Sequence, residues 1–317
     1  MYKTRYKIKL LYHLNFWIYY LLSKFSIEKL KGNLRSFSLL NNLRAEEMVR
    51  VNYYNKLESI FYVNSDVNLL SFFISKVNSS YFYDFYRVMN GLFNKIYFYY
   101  LFGDVRNVPT VPTFVKSRPI CKENVNSVIL PLDVARHFIF YPDNNYYDEK
   151  IPKIVWRGAV HKDHRLSFIK SVSNLPFCNV GATSNSSKSK IDKIFIKNWM
   201  SIKEQLQYKF IFSIEGNDVA TNLKWIMNSN SLCFMPKPKY ETWFMEGRLI
   251  PNFHYVLIKD DFSDVKEKYE FYIKNPELAK KIIQNANSYC KKFYDIKREM
   301  LIAKAVVLKY AQLSKQI

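Results

Sequence analysis

Two short stretches carry side chains suited to gripping a phosphorylated ligand. The first is WRGAVHKDHR, residues 156–165. Arg157 and Arg165 flank it, His161, Lys162 and His164 lie between, and Gly158 lets the backbone turn or approach a ligand closely. A helix expected to start at Asp163 adds free N–H groups and a dipole that favour an anion, and a guanidinium fork can hold a phosphate through two parallel bonds. The second is EGNDVATNLKW, residues 215–225. Gly216 permits a positive φ or a close approach. Asn217 or Asp218 suits the N-cap of the next helix, and Thr221, Asn222 and Lys224 fall in its first two turns. Neither stretch is a GxGxxG turn or a Walker loop. Singly, each is also what a solvated basic loop or an ordinary strand–cap–helix junction looks like. Together, in one sheet, they point to a diphosphate.

A third stretch, KYETWFMEGRLIPNFHY (residues 239–255), offers Glu241 and Glu246, which could bond ribose or sugar hydroxyls or serve as surface acids of a structural loop. The chain contains no DxD motif, so leaving-group charge falls to Arg, Lys and helix N-termini. No Ser-His-Asp or Cys-His order stands out. Asp260–Asp261 reads as a helix N-cap region rather than a metal site.

The elements that must position these residues alternate after residue 150. Strands are expected at 153–158, 177–181, 208–214, 231–235 and 254–259. Helices are expected at 163–172, 198–206, 219–228, 262–274, 276–293 and 296–313, with Asp163 as an N-cap and Pro276 in a first turn. That alternation predicts a parallel sheet covered by helices, whose ligands bind at the carboxyl ends of the strands. Earlier, helical spacing at 66–76 and 82–95 precedes strand-like runs at 96–102 and 125–130. The expected division is an N-terminal domain over 1–150 and a nucleotide-binding domain over 151–317.

The 317 residues are about right for two domains, and 49% hydrophobic content excludes a disordered chain. The formal charge of +21 implies an anionic partner. Residues 1–50 hold 10 Lys/Arg against 3 acids and residues 268–317 hold 11 against 4, so both ends contribute. A lysine-rich coding bias decorating solvated faces would give the same excess. The four cysteines lack metal-ligand spacing; Cys178 and Cys233 sit in apolar runs, as core thiols of a reducing cytosol would. Residues 10–22, LLYHLNFWIYYLL, are too short and too interrupted to span a bilayer. With Lys3, Arg5, Lys7 and Lys9 before them, they suit either an interfacial helix or a buried one.

Taken in order, KIVWRGAV (153–160), Asp163–Arg165, YKFIFSIEGNDVATNLKWIMNSNSLCF (208–234) and LIPNFHYVLIKDDFSDV (249–265) resemble glycosyltransferase family 90, whose members include capsule-associated xylosyltransferases and protein O-glucosyltransferases. The similarity runs from about residue 120 to 300 and is nearest in kind to the bacterial lipopolysaccharide core enzymes. The resemblance implies a GT-B-like α/β fold of two Rossmann-like domains facing a cleft, and inverting transfer from a UDP-sugar with no obligatory metal or cofactor. It matches Arg157 and Gly158 to the family's R-G at the donor diphosphate, and puts Gly216, Asn217, Thr221 and Lys224 in the donor segment. Related eukaryotic members carry arginine where Asn222 stands, a contact left to Arg165 or Lys224. The family's catalytic aspartate, in H-D-I-x-Y-P, meets N-S-V-I-L-P here, with Ser127 at that spot. Asp133, in LPLDVARHF, becomes the candidate general base, with His137 and Asp163 behind it.

The expectation is a hexosyltransferase using UDP-glucose or UDP-galactose, acting on the lipopolysaccharide core, cytoplasmic and peripheral on the anionic inner membrane. A capsular or other surface-glycan transferase is the alternative within enzymes. A basic nucleic-acid-binding protein is the alternative outside them, disfavoured because no nucleic-acid module is recognisable.

Overall fold

The computed structural model describes residues 42–64, 79–89, 96–183 and 191–317; the run at 10–22 and the helical spacing at 66–76 lie outside them. The elements in chain order begin with α1 (Ala45–Tyr54), α2 (Ser80–Met89), β1 (Tyr99–Leu101), β2 (Thr113–Val115), β3 (Arg118–Pro119), β4 (Ser127–Ile129) and α3 (Val134–His137). There follow β5 (Ile151–Gly158), α4 (Asp163–Val172), β6 (Cys178–Ala182), α5 (Ile202–Gln205), β7 (Tyr208–Phe212), α6 (Leu223–Met227), β8 (Leu232–Met235) and β9 (Tyr240–Glu241). The last are β10 (Val256–Leu257), α7 (Val265–Lys274), α8 (Pro276–Lys291) and α9 (Ile296–Leu313).

Two compact units result. Among the described residues, the first holds those up to Arg136 together with Tyr240–Trp243 and Phe293–Ile317; the second holds His137–Lys239 and Phe244–Lys292. The division therefore falls after Arg136 rather than after residue 150, and α9 counts with the first unit.

In the first unit, β1, β2 and β4 form a parallel sheet in the order β1-β2-β4. The short strand β9 pairs antiparallel with β3. Helix α9 starts where the Asp295 carboxylate accepts from the Lys297 and Arg298 amides at 3.0 and 3.1 Å, a side-chain cap on otherwise unmet donors. It is fastened to α1 by a bidentate Arg50–Glu299 pair at 2.6 and 2.7 Å and by Asn55 donating to the Val306 carbonyl.

The second unit is built on a five-stranded parallel sheet in the order β10-β8-β7-β5-β6. β7 and β8 expose little on either face, which is why Tyr208–Phe212 and Leu232–Met235 read as near-continuous apolar runs. The Phe168 ring of α4 lies 5.2 Å from Trp156, 5.0 Å from Phe212 and 5.1 Å from Phe262, so aromatic packing sets the helix against the sheet. Pro276 opens α8, as expected.

Several elements are shorter than the spacing suggests, for identifiable reasons. β10 has two residues because Asn252, at φ 57°, turns the chain and donates its amide to the Tyr255 carbonyl at 2.7 Å. The helix expected over 198–206 starts only after Ser201, which forms a capping box with Glu204. Cys178, Cys233 and Cys290 are buried and Cys121 is exposed. Burial pushes the Cys178 thiol up to about 12. Among the described residues no helix is long and apolar enough to cross a membrane.

Candidate functional site

Read along the chain, the large sheet runs 2-1-3-4-5. β5 and β7 are hydrogen-bonded neighbours although β6 comes between them in sequence. The order therefore reverses between β5 and β7, and the crevice beyond their carboxyl ends is where open α/β sheets bind ligands. Both stretches singled out in the sequence leave the sheet at this point.

Arg165 stitches them together. Its Nη1 donates to the Ala159 carbonyl beyond β5 at 2.9 Å, while Nη2 and Nε donate to the Ile214 and Glu215 carbonyls beyond β7, both at 2.7 Å. His164 Nε2 lies 2.8 Å from the same Glu215 oxygen. The guanidinium thus supplies donors to three strand-end carbonyls. Burial draws its pKa down to about 10, against the supporting charge of Glu215. Gly216 is not at positive φ; its function is close approach, since an added Cβ would sit 3.3 Å from Arg165 Nη2. Gly158 likewise clears the Trp156 ring, which an added Cβ would meet at 2.6 Å.

Arg157 is similarly engaged. It donates to the carbonyls of Asn198, Trp156 and Asn179 at 2.9, 2.9 and 2.7 Å and to the Asn179 side chain at 2.8 Å. Burial lowers its pKa, with Tyr208 opposing. Both arginines expected to grip a phosphate therefore turn their forks to protein acceptors and build the corner.

The residues after β7 depart further from expectation. Residues 217–219 are a bend and 221–222 a turn, so neither Asn217 nor Asp218 caps a helix at Val219; α6 begins at Leu223 with Asn222 at the N-cap position. Asn222 makes no cap bond there. Its Nδ2 donates to the Phe212 carbonyl at 2.9 Å and its Oδ1 accepts from Ser213 at 3.2 Å, tying α6 to the end of β7. Lys224 faces inward, fully buried, and pairs with the equally buried Glu246 at 2.6 Å beside the rings of Phe244 and Phe138. Thr221 and His161 are exposed, Asn217 is half-buried and Asp218 is buried. Lys162, not Asp163, occupies the N-cap position of α4, and Asp163 is its first residue.

Two residues at this edge escaped the sequence reading. The Glu215 carboxylate accepts from the Lys239 main-chain amide at 3.0 Å, fastening the loop after β8 to the corner after β7. The Lys239 ammonium lies 3.2 Å from Asp260, both side chains exposed. The signal available was MPKPK, two prolines bracketing lysine at the end of a buried strand.

In the first unit, Asp133 is buried at φ 58°, a left-handed conformation that costs a non-glycine residue about 1–3 kcal/mol and gathers at functional positions. It accepts from Ser80 Oγ at 2.7 Å and from Arg136 at 3.1 Å. Ser127 is fully buried in β4. Glu241 is also in this unit, not with the donor corner. It pairs with Arg118 at 2.7 Å and accepts from the Tyr53 hydroxyl, while Arg118 also donates to the Tyr53, Tyr54 and Ser127 carbonyls. The two glutamates expected to bind sugar hydroxyls thus belong to different units, each in a buried ion pair. Among the described residues, no group of three or more His, Cys, Asp or Glu is placed to hold a metal ion.

A parallel sheet in this order, with two polar corners joined at its reversal point, makes the second unit an open, Rossmann-like α/β fold. Residues 134–316 match Glycosyl transferase family 90. The chain is 45% identical over 271 residues to O-glucosyltransferase LpsA of Dichelobacter nodosus, covering 86% of this chain and 84% of that one. It is 27% identical over 166 residues to Protein O-glucosyltransferase 3 of Homo sapiens, covering 51% and 32%. It is 25% identical over 139 residues to Protein O-glucosyltransferase 2 of Danio rerio, covering 43% and 28%. The chain belongs to glycosyltransferase family 90.

Proposed function

We propose that this glycosyltransferase, of the GT-B class, moves a hexose from UDP-glucose or UDP-galactose to a sugar hydroxyl of the lipopolysaccharide core, with inversion and without an obligatory metal. The observation that carries the donor reading is the reversal between β5 and β7, where Arg165 joins the two polar corners. UDP sits at those carboxyl ends. Main-chain N–H groups of the corners, with His161, Asn217 and Thr221, meet the diphosphate and stabilise the charge that develops on it as the glycosidic bond to the donor breaks. Glucose is favoured over galactose by the names of the similar proteins. Asp133 takes the proton of the acceptor hydroxyl as that oxygen attacks the anomeric carbon. The charge of +21 suits a phosphorylated acceptor and an anionic inner-membrane surface on the cytoplasmic side. A capsular or other surface glycan as acceptor would leave the donor chemistry unchanged.

Incubation with a panel of UDP-sugars, following UDP release, tests this. UDP-glucose is expected to give the fastest release. Asp133→Asn is expected to lower kcat by about 100-fold or more while leaving the donor KM near its wild-type value. No release from any UDP-hexose, together with salt-sensitive binding of DNA or RNA, would overturn the reading. Asp133→Asn with wild-type kcat would overturn the assignment of the base alone.

A further inference from the structure

We infer that Lys239 is the phosphate-facing cation of the donor corner, positioned by Glu215 and masked in the free enzyme by Asp260. The inference rests on the UDP-sugar reading above. Its starting point is a shortage. Of the cations nominated from sequence, Arg157 and Arg165 are bonded to main-chain carbonyls, Lys224 is buried against Glu246, and Lys162 stands at the N-cap position of α4 on the β5 side, which leaves the corner after β7 without one. Asn222 is neutral and bonded to the end of β7. Glu215 adds a negative charge at this corner. A diphosphate placed there needs a positive group that can leave its present partner.

Lys239 has the required properties. β8 neighbours β7 in the sheet, so the loops after both strands leave from the same edge. Glu215 Oε1 holds the Lys239 amide at 3.0 Å, and Pro236 and Pro238 restrict the chain leading to it. The backbone at Lys239 is thus fixed beside the corner while its side chain stays 64% exposed on a flexible four-carbon stem. Its partner Asp260, 3.2 Å away, is equally exposed. An exposed pair of this kind is weakly held and screened by salt. A diphosphate, with more charge and more acceptor oxygens than one carboxylate, displaces Asp260. Glu215 is a positioning residue in this arrangement, since it holds Lys239 by its backbone and leaves the ammonium to meet the ligand.

The test is titration calorimetry of the full chain with UDP and with uridine, which lacks phosphates. Lys239→Ala is expected to weaken UDP about tenfold and leave uridine unchanged, with Lys239→Arg restoring part of the loss. Asp260→Asn, which removes the competitor, is expected to tighten UDP about twofold. Glu215→Gln keeps a carbonyl acceptor for the Lys239 amide while removing a negative charge and is expected to bind UDP at least as tightly as wild type, whereas Glu215→Ala loses UDP selectivity as Lys239→Ala does. If wild type binds UDP but Lys239→Ala loses nothing, or loses uridine equally, the assignment of Lys239 falls while the donor reading stands. Weaker UDP binding by Asp260→Asn likewise overturns the masking role. If wild type does not respond to UDP, the donor reading falls and takes this inference with it.

Discussion

Arg118–Glu241 in the first unit and Lys239–Asp260 in the second are both base–carboxylate ion pairs, in opposite surroundings. The first has side-chain exposures of 0% and 2%, the second 64% and 64%. What separates them is desolvation. Charges withdrawn from water must keep each other, so Arg118 also satisfies three carbonyls and Glu241 accepts from Tyr53. A solvated pair loses little on separation and is free to exchange partners. Burial therefore marks Glu241, and by the same reasoning Glu246 and Lys224, as architecture, and exposure marks the loop after β8 as a place where a ligand can compete.

The largest expected effect breaks the buried member. Arg118→Met leaves Glu241 without its counter-charge and is expected to cost about 3–5 kcal/mol of stability. Adding Glu241→Leu removes the stranded charge and is expected to recover part of that loss, the rest reflecting the bonds from Arg118 to the Tyr53, Tyr54 and Ser127 carbonyls. Denaturant unfolding of the single and double variants reads both numbers. A stable Arg118→Met enzyme with abolished transfer would reverse the comparison and return Glu241 to the chemistry.

A smaller effect comes from a buried group that stays neutral instead of pairing. His254 Nδ1 accepts from the Ile250 amide at 2.9 Å, and burial, with Lys292 adding to it, lowers its pKa from 6.5 to about 4. The unfolded chain then binds the proton more readily across that interval. Stability is fully present above pH 6.5 and falls as the pH drops toward about 4. The loss by about pH 5 is expected to be on the order of 2 kcal/mol. Melting temperatures across this range should slope for wild type and flatten for His254→Asn, whose amide oxygen can still accept from Ile250. Equal slopes in the two proteins would remove His254 as the cause.

The strands and their alternation with helices were legible because buried parallel strands leave apolar runs and helices leave caps. Ile296–Leu313 matches to the residue because Asp295 caps it and the apolar spacing persists throughout. The two corners were legible as polar stretches at strand ends, and the sheet order brings them together. The partners of each charge were not legible. Whether Arg165 faces a ligand or three carbonyls depends on where the backbone of residues 159, 214 and 215 ends up. Burial of Lys224 follows from α6 starting four residues later than its polar leader suggests. The pairing of Glu241 with Arg118 spans 123 residues, and no local pattern encodes it.

The smallest effect tests how rigid the joined corners are. The sequence left Gly216 either a positive φ or a close approach, and the second holds: its backbone makes room for the Arg165 guanidinium. An alanine there brings a methyl group to 3.3 Å from Nη2. If Arg165 can yield by a few tenths of an ångström, the substitution stabilises by about 0.5 kcal/mol, because alanine has less unfolded-state freedom to lose. Arg165, however, is anchored on three carbonyls from two strands and cannot move without lengthening bonds at 2.7–2.9 Å. Gly216→Ala is therefore expected to destabilise by about 1 kcal/mol, with a severalfold rise in the donor KM as the corner shifts. Arg165→Lys abolishes the fork and is expected to erase that penalty, so that Gly216→Ala becomes neutral or stabilising in its background. A double-mutant cycle measures the coupling. Additivity between the two positions would mean that the corners are compliant, and that the glycine serves some contact other than Arg165.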